Sequence, residues 1–376
     1  MKKTIIASLA AAGGLALLTL KLLSPAVSPS GAGDETVREP VQAADETVKE
    51  PVRTADESGK KPVQTVVQPI KEPAQAADQP AVEIVETENE GKMEAFQQSW
   101  DKSHSVSLLL DDEVVTMPLD DYLTGVVLAE MPPSFELEAL AAQAVAARTL
   151  VCRRLGAPKH DGAAVCAQFA CCQAYFSEEA AQEKYGEDCS KWEAKVREAV
   201  EETDGLAIRY QGELIDAVYF SSAGGATEKA AAVWGGDVPY LQSVESPDAE
   251  ERFTKETRIP IEAFRSAILQ ETPDAQLEGG PAGWFGAAYR TEGGGVERIK
   301  IGGVEYNGVS IRKLFSLRST NFTVAVEGND IVFVTRGNGH RVGMSQYGAQ
   351  AMAQEGAGFR EILSHYYQGV EIAAEN

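Results

Sequence analysis

The sequence predicts an α+β fold: a single domain at residues 96–376, after a membrane anchor at residues 1–25 and a disordered linker at residues 26–95. Three observations predict this organisation. The chain opens with a charge-free apolar segment behind two lysines, continues with a proline-containing repeat that has no aromatic residue, and then mixes strand-like and helix-like apolar patterns. Strands and helices mixed within one region are typical of the α+β class.

Composition supports a folded domain and excludes some partners. The 376 residues include 57 Asp and Glu against 34 Lys and Arg, which gives a formal net charge of −23, and 44% of them are hydrophobic. That apolar fraction is sufficient for a core. Nucleic acids and anionic membrane surfaces need clustered basic residues, so the acidic balance argues against them. A neutral or weakly anionic polymer, such as a glycan, is compatible with it.

The N-terminal segment is typical of export targeting. Lys2 and Lys3 precede residues 4–20, which carry no charge. The segment is near the lower length limit for a helix that spans a bilayer. An uncleaved signal anchor is favoured over a cleaved signal, for which residues 26–28 are a weak candidate site. Because the basic residues precede the segment, the rest of the chain is expected outside the cytoplasm.

Residues 26–95 are expected to form a solvated, partly extended spacer. Asp34, Asp45 and Asp56 begin three related segments of 11 residues, and a proline follows each aspartate six residues later. A period of 11 suits a right-handed coiled coil, but proline in every repeat breaks helical hydrogen bonding. A coil of about 65 residues typically spans on the order of 45 Å, which would hold a domain away from a membrane.

The domain itself is expected to begin with a hairpin and two helices. Apolar residues alternate at positions 106, 108 and 110, and the chain turns at 111–113 and returns at 114–116. Asp120 or Asp121 can cap a helix that runs to Glu130, where two prolines stop it. Ser134 can cap the next, alanine-rich helix. Strands are then expected at residues 208–210, 214–219, 299–301, 322–326 and 331–335, and closing helices at 345–354 and 359–366.

Glu130 is the first candidate for chemistry. It continues a largely apolar helix face, four residues after Val126 and eight after Tyr122. Burial and the C-terminal end of the helix dipole both disfavour its anion and would raise its pKa. A carboxylic acid kept protonated near neutral pH is what a general acid for glycosidic cleavage requires. The alternative interpretation is an exposed glutamate just before a loop.

Gln143 and Arg148 are polar residues inside the alanine-rich helix. One interpretation is an ordinary solvent-facing side of the helix. The functional interpretation places Gln143 on sugar hydroxyls and Arg148 on a carboxylate of a ligand.

His160, Cys166 and Cys172 follow one another at six-residue steps in a loop sequence. Imidazole and thiolate are natural zinc ligands, and three of them leave room for a fourth. Export to an oxidising compartment supports the rival interpretation, a disulfide between Cys166 and Cys172. The residues alone leave both interpretations open, and they give Cys171 and Cys189 no role.

Two glycine-containing runs complete the set of candidates. Residues 219–228, YFSSAGGATE, combine hydroxyl groups with a glycine pair that lets the backbone approach a ligand closely, although a plain turn is an equal alternative. Residues 336–350, RGNGHRVGMSQYGAQ, place polar side chains before a helix but lack the ending of a phosphate-binding loop. No nucleophile-elbow sequence supports a serine hydrolase.

Three stretches of the chain resemble the stage II sporulation protein D family, also called the SpoIID/LytB domain. They are DYLTGVVLAEMPPSFELEALAAQAVAARTL, YFSSAGGATEKAAAVWGGDVPYLQSVESPD and GHRVGMSQYGAQAMAQEGAGFREILSHYYQGV, and they lie in the family's order across most of residues 105–372. The short anchor before an extracytoplasmic domain is also similar. The His-Cys-Cys spacing resembles the zinc loop of clostridial members, which favours a structural zinc ion over the disulfide.

The resemblance implies a lytic transglycosylase acting in septal wall remodelling and engulfment during sporulation. It would cleave peptidoglycan glycan strands that have lost their stem peptides, and leave 1,6-anhydro-muramyl ends. Glu130, in the Glu-Met-Pro motif, would be the catalytic acid and then the base. Arg341 departs from the family, since many relatives have glycine there. The glycan-binding groove would be lined by Gln143, Arg148, Ser221, Ser222, Thr227, Gln346 and Tyr347.

The resemblance also sets an alternative function and the expected partners. Some members of the wider family resemble amidase enhancers, which bind the wall and stimulate a partner without cutting; the presence of Glu130 favours the enzyme. From its resemblance to sporulation members, the protein is expected to act together with a membrane-bound amidase and endopeptidase, and with a membrane protein that recruits both. The expected location is the cell membrane, with a single-pass anchor and the catalytic domain in the septal or intermembrane space.

Overall fold

The computed structural model describes residues 99–248 and 251–375. The predicted anchor at residues 1–25 and the predicted linker at residues 26–95 lie outside the described residues. Within those two described ranges, no helix combines the length and the apolar character that crossing a membrane requires. Helices and strands are mixed along the described chain, which confirms the α+β class.

The elements alternate in type along the chain without a repeating unit. The first half contains α1 (Trp100–Ser103), β1 (Ser105–Leu110), β2 (Glu113–Pro118), α2 (Leu119–Glu130), α3 (Leu137–Gly156), β3 (Val165–Cys166), α4 (Glu178–Tyr185), α5 (Cys189–Glu202), β4 (Leu206–Tyr210), β5 (Glu213–Leu214), β6 (Tyr219–Phe220) and α6 (Ala230–Trp234). The second half contains β7 (Thr254–Pro260), α7 (Ile261–Glu271), β8 (Phe285–Arg290), β9 (Val296–Ile301), β10 (Val304–Asn307), α8 (Gly308–Leu314), β11 (Phe322–Glu327), β12 (Asp330–Arg336), β13 (Met344–Ser345), α9 (Gln346–Gln354), α10 (Phe359–Tyr366) and β14 (Glu371–Ala374).

The first hydrophobic core is built around α3. Every residue from 139 to 149 is buried, because α3 packs against α2, α5, α9, α10 and β4 on its different sides. Alanine at most of these positions lets the neighbouring elements approach the helix axis closely. Three small sheets surround this helical centre: β2-β1-β3, β14-β4-β5 and the parallel pair β13-β6. The sequence therefore predicted the right helix, but α3 is a central helix rather than an amphipathic one.

A second core lies in an inserted lobe, residues 254–336, between α6 and β13. Its two antiparallel sheets are β10-β9-β8 and β11-β12-β7. Between them the Phe264 ring stacks on Phe315 at 4.9 Å between centroids, and Phe333 lies beside both. Since β6 before the lobe pairs with β13 after it, the chain leaves the first core and returns to it at the same place.

A buried ion pair joins the inserted lobe to the first core. Glu228 Oε1 accepts hydrogen bonds from Arg341 Nη1 at 3.1 Å and from the backbone N–H of Gly295 at 2.9 Å. Both charged side chains are almost completely buried. A Cβ on Gly295 would lie 2.3 Å from the Glu228 carboxyl, so the loop can approach this closely only with glycine. The pair fixes where the lobe sits on the core.

Most expected elements are confirmed, with corrections at their ends. The hairpin turns on Asp111 and Asp112, both with positive φ, as a two-residue turn requires. The next helix begins at Leu119 after Pro118, so Asp120 and Asp121 lie in its first turn instead of capping it. The alanine-rich helix begins at Leu137, three residues after Ser134. The strand expected at residues 214–219 is two short strands, β5 and β6, and the closing helices are α9 and α10.

Candidate active site

Glu130 lies where α2 meets the segment after the cysteine loop. Gly125 permits the approach, because a Cβ there would lie 2.4 Å from the ring of Tyr175. The Phe176 N–H donates to the Gly125 carbonyl at 3.1 Å, which holds residues 173–176 along the helix. This contact brings the backbone N–H of Ala174 to 2.6 Å from Glu130 Oε1. The last turn of α2 thus presents its final carboxyl group to a fixed donor.

Uncharged groups surround the Glu130 carboxyl. Besides the Ala174 N–H on Oε1, Gln346 Nε2 lies 3.3 Å from Oε2 and the Tyr219 hydroxyl is adjacent. Burial raises the pKa of Glu130, and the hydrogen bonds from Ala174 and Gln346, together with the adjacent Tyr219 hydroxyl, offset only part of that effect. The sequence-based expectation for this pKa is therefore supported by the structure, with burial as the main cause.

A chain of hydrogen bonds fixes the direction of the Tyr219 hydroxyl. Gln173 Nε2 donates to the Tyr122 hydroxyl at 3.0 Å, and the Tyr219 hydroxyl donates to Gln173 Oε1 at 2.8 Å. A tyrosine hydroxyl has one proton, and Tyr219 gives it to Gln173. Toward Glu130 it therefore presents oxygen lone pairs, which can accept a proton from the neutral carboxylic acid; it would favour the carboxylate only by turning its proton from Gln173 to Glu130.

Gln346 and Gln143 belong to the same polar cluster. Gln346 is the first residue of α9, and its Nε2 lies 3.4 Å from Gln143 Oε1 as well as near Glu130. Gln143 is fully buried on α3 and also contacts the Tyr219 hydroxyl. Two predicted site residues are thus brought to Glu130, but Gln143 lies behind the carboxyl rather than on an open surface.

Ser221 and Tyr347 lie at a half-buried rim next to this cluster. The Tyr347 N–H donates to the Ser221 carbonyl at 3.0 Å. The Tyr347 ring packs edge-on against Phe135 and Phe253, at 5.0 and 4.6 Å between centroids. The guanidinium of Arg252 lies 4.4 Å from the centre of the Tyr347 ring. An aromatic surface with an adjacent cation therefore borders the carboxyl site.

Ser222 and Thr227 hold the local backbone together. Thr227 Oγ1 accepts the N–H of Val244 at 2.9 Å and donates to the carbonyl of Gln242. Ser222 is fully buried, and its backbone pairs with Asn338. The structure does not bring either hydroxyl to the site.

Arg148 is also remote from the carboxyl site. It is fully buried, and its guanidinium binds both oxygens of Asp101, with the shortest distance 2.6 Å to Oδ2. Further donors reach the carbonyls of Val200 and Leu206. The arginine does pair with a carboxylate, but with one of the protein's own, so it is not available to a ligand carboxylate as the sequence interpretation proposed.

Arg341, where the sequence was expected to depart from the resembled family, has a structural role. Its φ is +67°, a conformation that glycine adopts without strain. Its side chain is fully buried and bonds to Glu228 and to the carbonyls of Ala223, Ala226 and Gly293. The guanidinium thus joins the inserted lobe to the first core.

A cluster of potential metal ligands lies in the loop between α3 and α4. His160, Cys166 and Cys172 come together as predicted, and Cys171 joins them: one ligand atom from each lies within 4.8 Å of the others. None of the five cysteines, all within the described residues, forms a disulfide. One imidazole and three thiols match the donor set of structural zinc sites. The residues present therefore fit a zinc ion.

The metal cluster is connected to Glu130 through the chain. Cys172 is followed by Gln173, which binds both tyrosines of the network, and by Ala174, which donates to Glu130. Sequence analysis missed these two residues and Tyr219. Only their positions in the sequence could have indicated them. Gln173 and Ala174 directly follow the candidate ligand Cys172, and Tyr219 begins the run that contains Ser221 and Ser222.

Comparisons with known proteins show which family the chain resembles. A family model described as SpoIID, stage II sporulation protein, matches residues 111–210. Stage II sporulation protein D of Bacillus amyloliquefaciens is 37% identical over 265 residues, which cover 69% of this chain and 75% of that protein. The protein of the same name from Bacillus subtilis (strain 168) is 36% identical over 271 residues, 70% and 76% of the two chains. An amidase enhancer of Bacillus subtilis (strain 168) is 28% identical over 303 residues, 67% of this chain and 40% of that protein.

Proposed function

The chain belongs to the stage II sporulation protein D family, and on that premise we propose that it is a lytic transglycosylase of sporulation wall remodelling. Its substrate would be the glycan strand of peptidoglycan after the stem peptides have been removed. Its products would carry 1,6-anhydro-muramyl ends.

The observation that carries this proposal is the environment of Glu130. A half-buried carboxyl among uncharged donors, with a raised pKa, can hold a proton at a pH where an exposed glutamate cannot. The bond from Ala174 fixes Oε1, whereas Oε2 has the longer contact at 3.3 Å. Oε2 is therefore the oxygen on which the transferable proton belongs, and Tyr219 offers a lone pair to hold that proton before substrate binds.

In the proposed reaction one carboxyl performs both proton transfers. Protonated Glu130 donates its proton to the glycosidic oxygen as the bond from that oxygen to the anomeric carbon of the muramic residue breaks. The resulting carboxylate then accepts the proton of the muramic 6-hydroxyl as that oxygen attacks the anomeric carbon. The 1,6-anhydro ring closes and no water is consumed, so the second carboxyl of ordinary glycosidases is not required.

Substrate binding is proposed at the rim beside Glu130. Ser221, Gln346 and Tyr347 would contact the sugar, with Gln143 supporting them from behind. The chain carries a net charge of −23, and each muramic residue carries a lactyl carboxylate, so long-range attraction does not favour the complex. Arg252 places a cation beside the Tyr347 ring at this rim, whereas Arg148 is remote from it.

Zinc is proposed as a structural cofactor. His160, Cys166 and Cys172 would hold it, as the sequence predicted, and Cys171 lies in the same cluster. Bound zinc would cross-link the loop and would take no part in the proton transfers, since Glu130 supplies them. A loop fixed in this way would keep Gln173 and Ala174 in place against the carboxyl site.

The cellular setting follows from the same premise. We propose a single-pass N-terminal anchor that leaves the domain outside the cytoplasm, in the septal space. The proposed partners are the glycan strands, a sporulation amidase and endopeptidase that prepare them, and a membrane protein that recruits these enzymes. No nucleic-acid partner is expected from the acidic balance.

The second candidate function is a wall-binding enhancer of an amidase. The amidase enhancer of Bacillus subtilis supports it, at 28% identity over 303 residues. A binding module has no need of a protonated carboxyl held at a polar cluster, so the Glu130 environment favours cleavage.

The deciding experiment incubates the purified full chain with peptide-free glycan strands and, separately, with intact peptidoglycan plus a sporulation amidase. We expect anhydro-muramyl products by mass spectrometry in the first reaction. Binding without such products, together with faster peptide release in the second reaction, would establish the enhancer function instead.

A further inference from the structure

The vicinal cysteines 171 and 172 both face the imidazole of His160. His160 Nε2 lies 3.4 Å from Cys172 Sγ and 3.7 Å from Cys171 Sγ. Zn–S bonds of about 2.3 Å and Zn–N bonds of about 2.0–2.1 Å place tetrahedral ligand atoms about 3.5–3.8 Å apart. Both distances therefore suit two edges of a single tetrahedron, so Cys171 lies in the same position relative to the histidine as the predicted ligand Cys172.

A tight turn explains how adjacent residues reach the same centre. The backbone N–H groups of Cys171 and Cys172 both donate to the carbonyl of Gln168, at 2.9 and 2.8 Å. This turn folds the chain back toward Cys166, which lies on β3. The Cys166 thiol contacts the thiols of both Cys171 and Cys172.

The four side chains of the cluster differ in solvent exposure. Cys166 is buried, His160 and Cys172 are half-buried, and Cys171 is the most exposed of the four. Cys171 therefore covers the side of the cluster that faces water. In a site with three protein ligands, that is the position at which a water molecule would bind the metal.

We propose that Cys171 is the fourth ligand of a closed Cys3His zinc site, so that no metal position is open to water or substrate. The proposal rests on the zinc binding proposed above. It adds Cys171 as the ligand that makes the site closed rather than open. Each thiol loses its proton when the metal binds. Three thiolates, one neutral imidazole and Zn²⁺ leave one net negative charge. Lys159, whose ammonium group donates to the Cys171 carbonyl at 2.5 Å, lies where it can offset that charge.

A closed site restricts what the metal can do for the reaction. With four protein ligands it activates no water, and its contribution is to hold the segment that starts at Cys172. That segment leads directly to Gln173 and Ala174, which contact Tyr219 and Glu130. The loop residues are thus positioning residues for the carboxyl.

X-ray absorption at the zinc edge tests the ligand set in the zinc-loaded full chain. We expect one zinc per chain with three sulfur ligands at about 2.3 Å and one nitrogen at about 2.0–2.1 Å. In Cys171→Ser the sulfur count falls to two, and the dissociation constant in competition with a chelator rises by at least about tenfold, since even indirect partners of a metal contribute 10–100-fold. Cys152→Ser, at a cysteine of α3 outside the cluster, is the matched control and leaves both values unchanged.

Cobalt(II) substitution gives a second measurement that does not depend on zinc affinity. The thiolate-to-cobalt charge-transfer absorbance falls by about one third in Cys171→Ser if three thiolates become two. Two sulfurs in the wild type, or an unchanged spectrum in the variant, overturns the proposal, as does a Cys171–Cys172 disulfide in metal-loaded protein. A chain that binds no zinc at all overturns the cofactor proposal itself. The glycan-cleavage assay is judged separately, by products.

Discussion

Two enclosed glutamates in this protein have opposite surroundings. Glu130 and Glu228 each accept a backbone N–H, from Ala174 at 2.6 Å and from Gly295 at 2.9 Å. Glu228 also faces the guanidinium of Arg341 at 3.1 Å, whereas the groups that bond to Glu130 are uncharged. Burial alone therefore does not identify a reactive carboxyl.

The difference lies in whether the surroundings supply a countercharge. A buried carboxylate paired with a buried guanidinium is a structural ion pair. Uncharged neighbours leave the cost of burying the anion uncompensated, so the pKa rises and the proton becomes transferable. The surroundings of Glu228 join the inserted lobe to the core, whereas the surroundings of Glu130 are suited to acid–base chemistry.

The largest expected effect is on cleavage. Glu130→Gln keeps the shape and the bond from Ala174 but removes the transferable proton, so the rate on peptide-free glycan should fall by about 10²–10⁴-fold. The rate is measured from the formation of anhydro-muramyl products. Glu183→Gln, at an exposed glutamate on α4, is the control and should cut like the wild type. Equal rates for wild type and Glu130→Gln would remove the proposed acid.

Changing Glu228 should affect the stability of the fold rather than cleavage. Glu228→Gln leaves the buried Arg341 without its countercharge, which should lower the free energy of unfolding by about 3–5 kcal/mol. Denaturant titration measures this, and the activity of the molecules that remain folded should change little. Glu327→Gln breaks an exposed pair with Arg258 in the same lobe and should have almost no effect. Similar losses in both variants would contradict the structural role of Glu228.

The pH dependence of stability should separate the wild type from Glu130→Gln. Between the ordinary value of 4.5 and its raised pKa, Glu130 binds more protons in the folded state than in the unfolded state. Wild-type stability therefore falls as pH rises through that window, by about 1.4 kcal/mol for each unit of pKa shift. The variant lacks this loss, so its melting temperature relative to wild type should rise across the window and then level off. A relative gain toward acid pH would mean that the carboxylate is the stabilised form.

The smallest expected effect concerns Tyr219. Because its hydroxyl proton is given to Gln173, Tyr219→Phe removes an acceptor for neutral Glu130. The pKa of Glu130 should then fall by about 0.5–1 unit, since a neutral hydrogen bond contributes about 1 kcal/mol. The pH profile of cleavage should move to lower pH, with Tyr185→Phe, a tyrosine bonded to the carbonyl of Leu128, as control. Movement toward higher pH would show that Tyr219 donates to the carboxylate.

Local patterns predicted much of the fold. The alternation at 106–116 and the apolar spacing at 345–366 gave the hairpin and the two closing helices, because these elements are specified by neighbouring residues. Helices α4, α5 and α7 were not predicted. The burial of α3 on all its sides was not predicted either, since most of its partner elements, such as α9 and α10, lie far away in the sequence.

The site was predicted less completely, for a related reason. Glu130 and the His160 loop were proposed from residue type and spacing. Arg148 was misjudged because its partner Asp101 lies 47 residues away, and only folding places the two together. Cys171 was left without a role because spacing alone does not show that two adjacent thiols can both face the same histidine.

The sequence by itself determined the class of the fold and the family, and it singled out Glu130 as the candidate acid, because short-range patterns and residue types carry that information. Only the tertiary structure decided which buried charges are neutralised. A pKa depends on atoms within a few ångströms, and here those atoms come from segments far apart: Ala174, Tyr219 and Gln346 around Glu130, Arg341 and Gly295 around Glu228.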